Sequence, residues 1–146
     1  MRISTKGRYA IRLMLDIASH SDGGNVSLKD VSKRQNISLK YLEQIVNILS
    51  KAGLLRSQRG AQGGYKMMRK PEEYTMGDIL RVTEGEISPL SCLEDEINQY
   101  MGLSNYPTIK FWTGLYDTIN NYLDGTTIAD LMNNAEENEN NLCYYI

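Results

Sequence analysis

A chain of 146 residues with one histidine, His20, and two cysteines, Cys92 and Cys143, offers acid–base or thiol chemistry few places to start. It shows no nucleophile motif, no cluster with metal-ligand spacing and no phosphate-binding loop pattern, so catalysis has no support. Two cysteines so far apart in sequence do not announce a disulfide framework. Cys92 has two readings: an oxidation sensor that forms a sulfenic acid or mixed disulfide, or a buried, inert thiol.

Hydrogen bonding to the edges of bases has better material. Ser38, Leu39, Lys40, Tyr41, Glu43 and Gln44 stand together at what reads as the start of a helix. At such a helix N-terminus a Gln can pair with adenine, a Glu can accept from cytosine, and Leu39 can touch a thymine methyl, while Lys40 and Tyr41 reach phosphates or bases. Taken singly, each of these residues equally suits an ordinary solvated helix face. A second group is Arg59 with Gln62 in the glycine-rich run 58–64, where an arginine could enter a narrow minor groove. Arg2, Lys6, Lys33 and Arg56 suit phosphate contacts, which set register without reading sequence.

The charge distribution fits the same chemistry. The overall formal charge is only −2, but residues 1–70 carry 14 Lys and Arg against four Asp and Glu, and residues 71–146 carry two against 14. Such segregation is expected when one half meets a polyanion and the other half stays clear of it. No apolar run is long enough to span a bilayer, and the charged start at Met1-Arg2 lacks a secretory apolar stretch, so a cytoplasmic location without membrane contact is expected.

The elements that must hold these groups follow from periodicity and punctuation. Tyr9, Ala10, Leu13, Met14, Ile17 and Ala18 predict a helix over 5–19, with Arg8, Arg12 and Asp16 on its other side. Ser27, with Asp30 three positions on, predicts a capped short helix ending near 35–36. Ser38 predicts a cap for a longer one, with Leu42, Ile45, Val46 and Leu49 buried and Gly53 as a left-handed stop. Two capped helices about three residues apart make a helix-turn-helix. Segments 54–57 and 65–68 can pair as a hairpin around the cationic loop, a wing. Thr75 and Asp78 predict a capping box for a fourth helix burying Met76, Ile79, Leu80 and Val82 and ending at Gly85.

Beyond a linker, Pro107 opens a helix in which Ile109, Trp112, Tyr116, Ile119 and Leu123 recur at steps of three and four, widened by Leu115 and Tyr122. An apolar seam of that width needs a partner surface. A second copy of the chain fits, since a helix-turn-helix usually reads two half-sites with two subunits; packing on its own domain is the other reading. The expectation is therefore a mainly α fold, a winged helix-turn-helix with a small β-hairpin wing and a C-terminal dimerisation helix. Its divisions are a DNA-binding domain over 1–84, a linker over 85–106, dimerisation helices over 107–132 and a mobile polar tail over 133–146. The partners expected are a palindromic double-stranded DNA and a second copy. A protein–protein adaptor that uses the fold without DNA is the rival, disfavoured by the basic half.

The opening string Met1-Arg2-Ile3-Ser4-Thr5-Lys6-Gly7-Arg8-Tyr9-Ala10, then Tyr41-Leu42-Glu43-Gln44, the stretch 59–65 and the stretch 77–85 resemble the Rrf2 family of winged-helix regulators, in order and spacing over nearly the whole chain. Some members of that family hold a two-iron cluster on three cysteines between the fourth helix and the dimer helix. This chain offers only Cys92 there, so no cofactor is expected. The stretches 87–89, 93–96 and 126–131 and the end Tyr145-Ile146 are similar to the family's cluster-free cysteine-metabolism repressors. That resemblance implies repression of genes for sulfur uptake and cysteine synthesis, with the cysteine synthase that consumes O-acetylserine as a partner. The matching physical feature is the tip Tyr144, Tyr145 and Ile146, suited to carboxylate capture in a backbone nest; a tail packed on the dimer is the alternative.

Overall fold

The computed structural model describes residues 1–90 and 107–144, with side chains of the last helix through Asn140. Helix α1 (Thr5–His20) starts where the Ser4 hydroxyl accepts from the Gly7 amide at 3.2 Å, and its stripe of Ala10, Leu13, Met14 and Ile17 has no solvent exposure. Helix α2 (Leu28–Gln35) is capped by Ser27 and helix α3 (Leu39–Lys51) by Ser38. Between α2 and α3 the chain turns in three residues. Asn36 takes a left-handed φ of 52°, the Ser32 hydroxyl donates to the Ile37 carbonyl at 2.6 Å, and the Ile37 side chain drops into the core. Asparagine tolerates that backbone region better than most residues do, which lets the turn close tightly.

Helix α3 buries the expected stripe of Leu42, Ile45, Val46 and Leu49, and Gly53 follows its end at a φ of 76°. Strands β1 (Leu55–Gln58) and β2 (Gly64–Met67) pair antiparallel with Leu55 opposite Met67 and Gln58 opposite Gly64. This keeps the register of the expected segments, with the ladder lying one residue nearer the loop on each strand. Val26 adds to it from outside the hairpin, exchanging two 2.8 Å backbone hydrogen bonds with Tyr65. Gly64 makes the approach possible, because a Cβ there would collide with the Val26 carbonyl and would be strained at a φ of 147°.

A 3₁₀ turn (Pro71–Glu73) leads to Tyr74, which is completely buried. Its hydroxyl donates to the Leu54 carbonyl at 2.9 Å and accepts from the Met68 and Arg69 amides at 2.8 and 3.0 Å, so one side chain ties off both ends of the wing. Helix α4 (Met76–Glu84) opens with the expected Thr75–Asp78 box, both bonds at 3.0 Å, and stops at Gly85. Helices α5 (Pro107–Gly125) and α6 (Ile128–Tyr144) follow. The Met76 amide donates to the Thr126 carbonyl at 2.8 Å, the Ile128 amide donates to the Tyr74 carbonyl at 3.0 Å, and Ile128 is fully buried in the same core. Residues 1–84 thus form a unit that is completed from downstream.

Several expectations change. Asp16, placed on the exposed side of α1, is 2 % exposed, because Arg34 and Gln35 from α2 reach over to it. The Ser27 hydroxyl accepts from the Lys29 amide, and α2 has this simple cap in place of the expected box with Asp30. Val82 is half-buried and Thr83 buried in its stead, its hydroxyl satisfied by donation to carbonyls one turn back. Ile87, assigned to the linker, is buried, and Asn120 donates to its carbonyl at 3.2 Å. The segment from 133, expected as a mobile polar tail, is helical and continues α6 through Tyr144. Thr127 and Asp130 cap that helix reciprocally and Ile128 anchors it, so nucleation is already met, and Ala135, Glu136, Glu137 and Glu139 offset the weaker helix propensity of the asparagines among them. Residues 145–146 and Cys92 lie outside the described residues, as do the side chain of Tyr144 and most of the 85–106 linker.

Candidate nucleic-acid interface

With its inner stripe committed to the core, α3 turns Lys40, Glu43 and Gln44 outward, all exposed. Ser38 is exposed as well, but its hydroxyl accepts from the Tyr41 amide at 3.2 Å; its first role is to end the turn cleanly. Leu39 and Tyr41 are half-buried. The Tyr41 ring stands edge-on to Tyr9 at 5.7 Å, and the Arg12 guanidinium lies 5.2 Å above the Tyr9 ring, so Tyr41 is held in place by α1.

Beside Tyr41 runs an open groove of about 860 Å³ lined by Arg2, Thr5, Lys6 and Arg8. Three cations meet the positive end of α1 in this groove, a setting that attracts anions twice over. Arg2 and Lys6, proposed from sequence as phosphate contacts, are therefore together with Tyr41. Arg8 joins them, held by a 3.1 Å hydrogen bond to the Thr5 hydroxyl. Sequence reasoning left Arg8 out; its place one turn on from Thr5 was the signal available. Lys33 and Arg56 are exposed on α2 and β1 and do not line the groove.

At the wing tip Arg59 and Gln62 are exposed, and Gly60 turns the chain at a φ of 109°. Asn25, from the loop before α2, donates to the Gln58 side chain at 2.9 Å and to the Gln62 carbonyl at 3.1 Å. The wing is thus braced by the loop that leads into the helix-turn-helix. Nothing in the pattern around Asn25 distinguishes it from a turn residue, and sequence reasoning passed over it.

The helix-turn-helix is stapled to α1 by Asp16. Arg34 donates to its carboxylate at 2.6 and 3.0 Å and Gln35 at 2.9 Å, while His20, exposed at the end of α1, holds Nδ1 at 2.9 Å from the Asp16 carbonyl. Burial pushes the Asp16 carboxyl up, but hydrogen bonds from Arg34 and Gln35 and the Arg34 charge outweigh it and hold the group below the usual carboxylate range.

On the far side, α5 has no buried residue. Tyr122 and Phe111 are 73 % and 63 % exposed, and Ile109, Trp112, Leu115, Tyr116 and Ile119 are half-buried. Leu123, assigned to the seam, instead packs against the chain's own core. Phe111, which the seam did not include, stacks edge-on to Trp112 at 4.9 Å. Arg81 of α4 holds α5 by an ion pair to Asp124 at 2.7 Å and a hydrogen bond to Asn120 at 2.7 Å. That hydrogen-bonded pair raises the Arg81 pKa and lowers that of Asp124.

Comparison with known proteins identifies the architecture. The Rrf2 family model, described as an iron-dependent transcriptional regulator, matches residues 3–134. The HTH-type transcriptional regulator CymR of Bacillus subtilis is 40% identical over 146 residues, all of both chains. The HTH-type transcriptional regulator IscR of Aliivibrio salmonicida is 40% identical over 132 residues, 90% of this chain and 77% of the relative. Among solved structures, that of CymR, the global cysteine regulator of B. subtilis, superposes with a TM-score of 0.76 at 41% identity, over 91% of this chain and 97% of the other.

An iron-dependent family raises the question of ligands. The chain's thiolates and imidazole are Cys92, Cys143 and His20, and His20 is engaged at the end of α1. Among the described residues no group of three or more His, Cys, Asp and Glu could hold a metal ion. A cysteine-ligated iron–sulfur cluster takes close to four such ligands, and this donor set does not fit one.

Proposed function

The chain belongs to the Rrf2 family of transcriptional regulators, and from that premise we propose that it is a dimeric repressor of sulfur-uptake and cysteine-synthesis genes that grips palindromic double-stranded DNA. It acts in the cytoplasm, without a cluster and without catalysing a reaction. The observation that carries the reading is that the basic half exposes three features: Lys40, Glu43 and Gln44 of α3, the cationic groove beside Tyr41, and Arg59 on a braced wing. In this reading Lys40, Tyr41, Glu43, Gln44 and Leu39 meet base edges in the major groove, Arg59 and Gln62 meet the minor groove, and Arg2, Lys6, Lys33 and Arg56 meet phosphates. Ser38 serves them by fixing the N-terminus of α3. The seam of α5, around Ile109, Trp112, Leu115, Ile119 and Tyr122, pairs two copies so that two reading heads face two half-sites.

The cysteine-regulon assignment draws on the full-length match to CymR, a global cysteine regulator in its own organism. With it comes a cysteine synthase as corepressor, engaging Tyr144, Tyr145 and Ile146. A gel-shift titration on promoter fragments of such genes, repeated from roughly 50 to 200 mM salt, tests the DNA reading: affinity falls steeply with salt and prefers a palindromic site. A protein that is monomeric and indifferent to duplexes at low salt ends it. Removal of Tyr145 and Ile146 should abolish synthase binding and leave dimerisation intact; retained synthase binding excludes the tip as its site.

A further inference from the structure

The arm that lines the cationic groove is fastened by an acid. Glu84, the last residue of α4, accepts from the Ser4 amide at 3.3 Å through Oε2 and from the Ser4 hydroxyl through Oε1. The same hydroxyl caps α1 by accepting from the Gly7 amide at 3.2 Å. Gly7 is buried directly beneath the carboxylate, and a Cβ at that position would collide with it. Residues 2 to 8 therefore reach the groove from a point fixed by α4, and that helix is itself locked to α5 one turn earlier through Arg81.

A carboxylate this near a phosphate-binding arm repels DNA on charge alone. Its structural position says the opposite. We infer that Glu84 is a positioning residue for DNA binding: through Ser4 it holds Arg2, Lys6 and Arg8 in line with Tyr41, and it ties that line to the helix that pairs the two copies. The inference rests on the DNA-binding reading of the groove. The two effects differ in sign, so they can be separated. If Glu84 acts only as a charge, removing it tightens DNA binding; if it positions the arm, removing it weakens DNA binding and reduces the number of phosphates engaged.

The test uses the full-length dimer and a promoter fragment, with affinity read by fluorescence anisotropy across salt. Glu84→Ala should lower affinity by about tenfold and make the salt slope shallower by about two, one phosphate for each arm. Glu84→Gln keeps an acceptor for Ser4 and should restore most of the affinity. Ser4→Ala should match Glu84→Ala, and Ser4→Thr, which keeps cap and donor, should not. Hydrogen exchange of amides 4–8 should quicken in Glu84→Ala while α3 amides stay as they were. Unchanged or tighter binding by Glu84→Ala, or by Ser4→Ala if the first variant does not fold, overturns the inference. If the parent dimer ignores DNA, the functional reading itself fails, and unaltered exchange at 4–8 would show separately that the latch is wrong.

Discussion

Removing Arg34 should cost more stability than removing the acid it binds. The Asp16 side chain has no solvent exposure, whereas the Arg34 side chain is 34% exposed. In Arg34→Ala the carboxylate stays buried with Gln35 as its main remaining donor, and an uncompensated buried charge of that kind costs about 3–5 kcal/mol. Partial access of water through the vacated guanidinium site puts the expected loss near the lower end, about 3 kcal/mol. In Asp16→Ala the guanidinium can turn toward water, which leaves a loss of about 1–2 kcal/mol. The double variant should then be more stable than Arg34→Ala alone. Urea unfolding of the dimer at one fixed protein concentration measures all three, since dimer stability depends on concentration. The carboxyl is held below its ordinary value in the folded chain, so the pair's contribution is complete above the unfolded-state pKa of about 3.9 and fades as pH falls below it. The gap between parent and Arg34→Ala should therefore narrow below about pH 4. A larger loss for Asp16→Ala than for Arg34→Ala, or a gap that ignores acid, would refute this account of the staple.

Three further outcomes follow from the geometry. Tyr74→Phe strips three backbone groups of their partner and should destabilise the fold by about 2 kcal/mol, with the fastest new hydrogen exchange at Met68 and Arg69. Arg59→Ala should weaken operator binding and relax its sequence preference, while Lys6→Ala should weaken all duplexes alike and reduce the salt slope by about one per subunit; matched titrations on specific and random DNA distinguish them. Trp112→Ala should raise the dimer dissociation constant by at least about tenfold in sedimentation measurements, while the monomer retains the helical signal of α1 to α4.

What the sequence revealed and what it concealed divide along the range of the interaction. Caps at Ser38 and Thr75, the stripe of α3 and the stop at Gly53 are local, and each could be read from residues within one turn of another. Asp16 was misplaced because periodicity alone counts a carboxylate as an outward residue. Its burial depends on Arg34, which reaches the same spot only after the loop over 21–27 has turned the chain into α2. The bridge from Val26 to Tyr65 is equally long in range, joining the hairpin to a residue before α2. At the candidate interface the exposure of Lys40, Glu43 and Gln44 on α3 was legible from the helical period, whereas the contacts of Asn25 and Glu84 follow from no spacing in the sequence.

The pairing of Thr75 with Thr127 has a consequence for synthesis. While the chain is still emerging from the ribosome, the reading head lacks the Ile128 side chain in its core, and the Tyr74 carbonyl and Met76 amide have no backbone partner. A head made alone is unfinished until α5 and the first turn of α6 have been translated. On the proposed reading, the reading head is therefore completed by the same stretch of chain that would pair two copies.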